Sequence, residues 1–373
     1  MRAIAKVFGG LALLLVTAVV LLGVFVQSPV QAVAWEPPPA PNMNGGPYAR
    51  NEALKQAKVF GQGNVFHPES FAIGPDGAAY TGLSNGDIVR IHRSALSAPN
   101  AQVSLPMQVL GNTGGRPLGM VFHPDGFLVV ADAMHGLVSF SLQGEIKVLS
   151  TSSEGVPFRF VDDVDVSADG RYAYFSDASS KFGLNDYVLD IVEHAGNGRL
   201  LRYDFSTGQT TTLMRGLQFA NGVALSHAED HVLVNETGAY RIARHWLKGS
   251  KAGQSDVFVD NLPGFPDNIR RDAHGHFWVA VPSLRDPLVD GLAGYPAARA
   301  LVAKLLKFVQ FPVSPYAMVI AYDAQGEVVA NLQAPKAGGY YHYITQVTPW
   351  HGDLLMGSVQ IPGFATISNP LGQ

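Results

Sequence analysis

Apolar residues recur along this chain in short runs that alternate like strands, each cut by a turn, and one phrase of this kind returns six times. It begins at Phe71-Ala-Ile-Gly-Pro-Asp-Gly77, followed by Ala78-Ala-Tyr-Thr81. It returns at Val121-Phe-His-Pro-Asp-Gly126 before Phe127–Ala131, and at Val166-Ser-Ala-Asp-Gly170 before Tyr172–Phe175. A looser copy is Leu225–Asp230 before His231–Val234. The last two are Arg271-Asp-Ala-His-Gly275 before His276–Val279, and Thr348-Pro-Trp-His-Gly352 before Asp353–Met356. Period-two alternation bounded by Asp-Gly turns is the signature of strand–turn–strand units. Most copies lie roughly 45–60 residues apart, the spacing of four-stranded propeller blades. The pattern predicts an all-β, six-bladed β-propeller. A β-sandwich with long loops would need no sixfold repetition.

Two stretches break the period. One runs from Lys181 to Asn197, the other from about Leu284 to Pro315. Within the second, residues 297–311 have helical spacing, with Leu301, Leu305 and Val309 on one side and Lys304 and Lys307 nearby. Such a helix suits either a cap on the propeller mouth or a membrane surface.

A different pattern stands at the N-terminus. Arg2 and Lys6 precede an uncharged apolar run from Val7 to Val26. At ~1.5 Å per residue this run spans ~30 Å as a helix, enough to cross a bilayer. The length suits an uncleaved anchor, while Ala32-Val33-Ala34 fits the cleavage site of a secretory signal. In both readings the basic end stays cytosolic and the body lies on the far side, periplasmic or lumenal, or secreted after cleavage. The pattern therefore divides the chain into an anchor or signal (1–34), a Pro-rich linker (35–54) and a propeller (55–373) with an insertion at 284–315.

Composition narrows the chemistry. Apolar residues make up 47% of the 373 residues and charged residues 15%, which supplies a large core and excludes a disordered chain. The net charge of -4, without a basic run in the body, leaves no footprint for nucleic acid. There are no cysteines, so disulfides, thiolate metal sites and a Cys nucleophile are excluded. Gly82-Leu-Ser-Asn-Gly86 matches a serine-hydrolase elbow, but that elbow needs a helix after the serine. Here Asp87–Ile91 alternates like a strand and Asn85-Gly86 suits a hairpin turn.

Four polar segments precede blade phrases and are candidates for a site in the channel: Pro68-Glu69-Ser70, Val161-Asp162-Asp163-Val164, Ala220-Asn221-Gly222-Val223 and Pro266-Asp267-Asn268-Ile269. Glu69, Asp162 and Asp267 each stand eight residues before the turn glycine of their phrase. A shared offset implies a shared depth in the channel. Glu69, Asp162, Asn221, Asp267 and Asn268 all present oxygen, the donor that a hard cation such as Ca²⁺ takes. Singly, each would be read as a backbone cap.

These segments resemble the strictosidine synthase-like family, which includes the adipocyte plasma membrane-associated proteins, and more distantly the paraoxonases and gluconolactonases. The resemblance covers residues 55–365 and is most specific at Phe175-Ser-Asp-Ala-Ser-Ser-Lys-Phe182, Gly198–Asp204, Phe219–Ser226, Trp246–Gly249 and Asn261–Ile269. It implies a six-bladed propeller, an N-terminal anchor or signal and one channel calcium ion. Glu69, Asn221, Asp267 and Asn268 look like paraoxonase metal ligands, and Asp162 stands where paraoxonases have Asn. Leu118 occupies the position of a paraoxonase catalytic His, and Thr345 that of the strictosidine synthase glutamate, so strictosidine synthesis is not expected.

The expected activity is calcium-dependent hydrolysis of a small ester or lactone, with Asp162 or Asp163 as the base and His123, His135 and His342 as weaker candidates. The alternative is a non-catalytic propeller that binds a ligand or partner around a structural ion.

Overall fold

The computed structural model describes residues 26–306, 308, 316–335 and 341–372. Six four-stranded antiparallel sheets form, one from each repeated phrase. Blade one is Phe71–Ile73, Ala79–Gly82, Asp87–Ile91 and Gln108–Asn112. Blade two runs from Pro117–Phe122 to Ile146–Ser150, blade three from Val161–Val166 to Gln209–Leu217, and blade four from Ala220–Leu225 to Ser255–Val259. Blade five runs from Ile269–Arg271 to Val328–Ala334. Blade six takes three strands from the end of the chain, beginning at Ile344–Trp350, and its fourth from the start: Lys58–Phe60 pairs antiparallel with Phe364–Ser368.

The first strand of every blade is innermost, and each touches the first strands of both neighbouring blades until the ring closes between blades six and one. Two-faced sheets need cover on both sides, and the apolar residues supply it between blades. Six buried clusters fill the six blade interfaces. Phe71 meets Trp350 and Phe364 between blades one and six, and Trp278 meets Ile344 and Met356 between blades five and six. The Asp-Gly turns work because their glycines adopt positive φ, as at Gly77 (73°) and Gly126 (90°). In the looser fourth copy Glu229 takes that conformation instead (φ 51°). Gly82–Gly86 joins two strands of blade one, so the serine-elbow pattern is a blade turn.

Both insertions join the second and third strands of a blade. Antiparallel order puts such loops at the end of the ring where the inner strands begin. The first carries the helix Tyr187–Glu193, the second the helices Pro287–Leu292 and Pro296–Leu305, and the last of these touches both of the others to form a cap. The helix expected over 297–311 therefore begins one residue earlier, and its described part ends at Leu305. Pro296 starts it, since proline lacks the N–H that a first helical turn leaves unused.

The expected linker, 35–54, is packed rather than free over much of its length. Trp35 stacks on His194 with ring centroids 4.1 Å apart, the Tyr48 hydroxyl meets that of Tyr322 at 3.1 Å, and Leu54 lies in the core. The prolines made this stretch read as a spacer, but its apolar side chains hold it against the ring. The expected membrane-crossing helix (Val7–Val26) lies outside the described residues but for Val26. Among the described residues, no helix is long and apolar enough to cross a membrane.

Candidate metal centre

The starts of the inner strands decide where the candidate oxygens go. Registers shift between Val161 and Val164, and between Ala220 and Val223, so Asp162-Asp163 and Asn221-Gly222 sit in bulges. A bulge re-aims its side chains out of the pleat. Glu69 and Asp267-Asn268 lie just before the inner strands of blades one and five. Neighbouring blades fix their backbone. Gly222 N–H and Asn235 Nδ2 donate to the Asp267 carbonyl (3.2 and 2.5 Å), Asn268 N–H donates to the Thr345 carbonyl (3.0 Å), and Thr345 Oγ1 donates to that of Glu69 (2.9 Å). Gly222 permits the close approach: a Cβ there would stand 2.4 Å from Ile269 N and 2.6 Å from Asn268 Cα.

Glu69, Asp162, Asn221 and Asn268 are buried and Asp267 is half-buried, and the five sense one another. Asn268 Nδ2 donates to Glu69 Oε1 (3.2 Å), and Asn221 donates to the Asp267 carboxylate. Burial is the largest cause pushing the Glu69 carboxyl up to about 7, with Asp163 adding repulsion against the pull of Arg116. Burial first, then the charges of Glu69 and Asp267, push Asp162 well above the carboxylate range, and burial and Glu69 do the same to Asp267. Glu69 Oε2, Asn221 Oδ1 and Asn268 Oδ1 are buried without a hydrogen-bond partner among the described residues. Among those residues no three His, Cys, Asp or Glu side chains close up as ligands by themselves. The set here is mixed: three mutually repelling carboxylates and two carboxamides. It fits a hard cation, because a positive charge would relieve the repulsion and give the orphaned oxygens a partner.

The two base candidates part company. The Asp163 carboxylate is held by Arg270, whose Nη1 and Nη2 donate to its two oxygens at 2.7 and 2.6 Å, and it also accepts from Val223 N–H and Val164 N–H at 2.9 Å. Asp163 thus tethers blade three to blades four and five, with both its oxygens occupied by donors. Asp162 lies among the other carboxylates. His123 is at the opposite end of the ring, its Nε2 bonded to Gly170 O (2.8 Å). His135 stands beside Asp132 (3.4 Å), and His342 packs near the Tyr343 ring (5.0 Å).

Of the apolar wall, the sequence had singled out Leu118 alone. Leu118, Phe160 and Phe219 form a buried apolar cluster at the same end of the ring, with Ala133 and Ala178. Tyr187, on the first cap helix, lies between the Phe160 and Phe219 rings (6.1 and 6.0 Å) within electrostatic reach of Asp162 and Asp267. The one available signal was that Phe160 and Phe219 each stand one residue before an inner strand. An acidic floor beside an apolar wall suits a substrate with a carbonyl at one end and a hydrocarbon or aromatic group at the other.

Comparison with known proteins bears on the same elements. The strictosidine synthase profile matches residues 162–250, which contain Asp162 and Asn221, and the strictosidine synthase-like N-terminal profile matches 46–91, which contain Glu69. The human adipocyte plasma membrane-associated protein is 35% identical over 357 residues, covering 92% of this chain and 85% of its own. This chain belongs to the strictosidine synthase-like family. The plant member named strictosidine synthase-like 10, from Arabidopsis thaliana, is 35% identical over 335 residues, covering 83% of this chain and 87% of its own. Among solved structures, the propeller of this family member is similar to a gluconolactonase from Xanthomonas campestris, with a TM-score of 0.59 at 14% identity over 93% of this chain and 99% of the other. That likeness shows the fold.

Proposed function

We propose that this family member is a calcium-dependent hydrolase of esters or lactones. The observation that carries the reading is the set of five oxygen-bearing side chains gathered at the inner-strand starts, four of them buried, with three oxygens lacking partners among the described residues and carboxyls pushed upward together. Glu69, Asp162, Asn221, Asp267 and Asn268 would hold the ion, which when bound supplies a Lewis acid for the substrate carbonyl. Asp162 is the proposed base toward water. Leu118, Phe160, Phe219 and Tyr187 would seat the apolar part of the substrate and exclude water from it. The Xanthomonas neighbour is named as a gluconolactonase, which supports lactone chemistry on this fold. The names of the close relatives support membrane association, and we extend this to an uncleaved anchor at Val7–Val26 with the propeller on the extracytoplasmic side. Support for retention comes from Val30, buried against Phe182 and Ala303, and from Val33 N–H, which donates to Glu193 O (2.9 Å), since these residues precede the cleavage motif or lie in it.

The test is metal analysis of the purified protein, with hydrolysis of aryl esters and lactones measured before and after chelation. About one calcium per chain is expected, with activity lost on chelation and restored by Ca²⁺. Asn221→Ala should lower metal affinity by roughly 10²-fold or more, at least the scale seen when groups around a metal are removed. Activity that survives both chelation and this variant would exclude the metal-dependent reaction. A second reading is favoured by Leu118 and Thr345, apolar and neutral where distant relatives carry catalytic groups: a ligand-binding propeller with a structural ion. Loss of thermal stability on chelation, with no turnover of any ester or lactone, would support it instead.

A further inference from the structure

Several polar groups of the cap are turned inward while several of its large apolar groups stand outward. Arg299 is buried, its Nη1 donating to Val33 O (2.7 Å) and its Nη2 to Ile191 O (3.2 Å). Asp290 accepts from the Tyr240 hydroxyl (2.8 Å), and Asp190 and Glu193 are buried in the first cap helix. On the same three helices and the residues beside them, Val188 is 42% exposed, Leu288 68%, Val289 43%, Tyr295 66% and Phe308 68%. A cap in contact only with water would show the reverse arrangement. Exposed apolar side chains gathered on one feature mark a surface that meets something apolar.

The chain's own connectivity says what that is. Val30 is buried against Phe182 and Ala303, so the chain is fastened to the cap there. Val30 stands only four positions after Val26, the end of the apolar run. Four extended residues span at most about 14 Å. A bilayer that holds Val7–Val26 therefore lies within that distance of the cap. We infer that the cap rests on the membrane surface, with Leu288, Tyr295 and Phe308 reaching the lipid, so that the channel opens toward the bilayer. The inference rests on the anchor proposed above. An amphipathic cap with Tyr and Phe on its apolar side suits the headgroup–acyl boundary. The same placement would deliver substrates partitioned in lipid to the apolar wall beside the metal centre.

The absence of cysteine makes a direct test simple, because single cysteines need no background removal. The full chain is incorporated into phosphatidylcholine–phosphatidylglycerol nanodiscs, with nitroxide labels at Leu288→Cys, Tyr295→Cys, Phe308→Cys or Asp125→Cys. Asp125 is 78% exposed in a turn at the opposite end of the ring. Collision with oxygen and with a water-soluble nickel chelate is then compared. The expected result is a ratio shifted toward oxygen at 288, 295 and 308, and toward nickel at 125. Cap labels as open to nickel as position 125, in chains retained by the disc, would overturn the inference and leave the anchor standing. Labels shielded from both reagents would indicate a protein partner and overturn it as well. Chains that fail to enter the disc would remove the anchor, and the inference with it.

Discussion

At the scale of single residues, the charges around the channel divide into those held by the protein and those left to repel. Asp163 is completely buried, yet Arg270 meets both its oxygens (2.7 and 2.6 Å). Breaking such a pair from one side leaves a buried unpaired charge, which costs about 3–5 kcal/mol. Arg270→Met should therefore destabilise the protein by that amount in denaturant titration, and Asp163→Asn in the same chain should restore much of the loss. Among the described residues the three carboxylates of the candidate centre have no such arginine clamp, and burial and mutual repulsion shift them upward. The shared eight-residue offset made Glu69, Asp162 and Asp267 legible in the sequence, because strand position fixes channel depth. The same reasoning could not separate Asp162 from Asp163, because the partner that does so, Arg270, is 107 residues away in the chain.

At the scale of elements, the repeat carried the blades but was silent about the cap and the strap that crosses it. Helices in insertions follow no blade period, and the expected anchor or signal and the Pro-rich stretch after it hid Val30, Trp35 and Tyr48, whose packing makes this strap part of the fold. Two oppositely titrating groups lie on the first cap helix and its end: His194, on which Trp35 of this strap stacks, and Asp190, which accepts from Ser179 Oγ and Asn197 Nδ2 (2.6 and 2.9 Å). Burial first, then Arg299 and Arg241, bring His194 down to about 3 from 6.5. Its neutral form stabilises the fold above about 6.5, and that contribution is lost as pH falls from there toward about 3. Burial pushes Asp190 up to about 6 from 3.8. Its neutral form stabilises the fold below about 3.8, and that contribution is lost as pH rises through about 6. Between these limits the two oppose each other. In His194→Phe the strap should become more firmly held as pH falls below about 6, and in Asp190→Asn less firmly held as pH falls below about 6.5. Trp35 fluorescence, taken as the difference from a Trp35→Phe chain, reports the docking in each case.

At the scale of the whole molecule, six similar sheets become one ring because the first strand of the chain completes the last blade. Lys58–Phe60 pairs with Phe364–Ser368, and Phe60 packs on Phe364 with ring centroids 5.9 Å apart. The six repeats announced the number of blades, but the clasp was not legible: Lys58–Phe60 is three residues long and carries no turn signal. Without it the strand Phe364–Ser368 becomes an open edge, which templates pairing with other chains. A chain lacking residues 58–60 is expected to form dimers and larger aggregates in size-exclusion light scattering at concentrations where the intact chain is monodisperse.

The clasp also sets an order of events during synthesis. Phe60 leaves the ribosome about 300 residues before Phe364, the partner it awaits. At roughly 5–20 residues per second, that is a wait of about 15–60 s. Throughout it, blades one to five can form in turn while the apolar face of the first strand stays uncovered. If the N-terminus is already fixed in a membrane, that strand spends the interval beside the bilayer, close to the point where the last blade will emerge. Tethering would then shorten the final search and keep one unfinished ring away from the next.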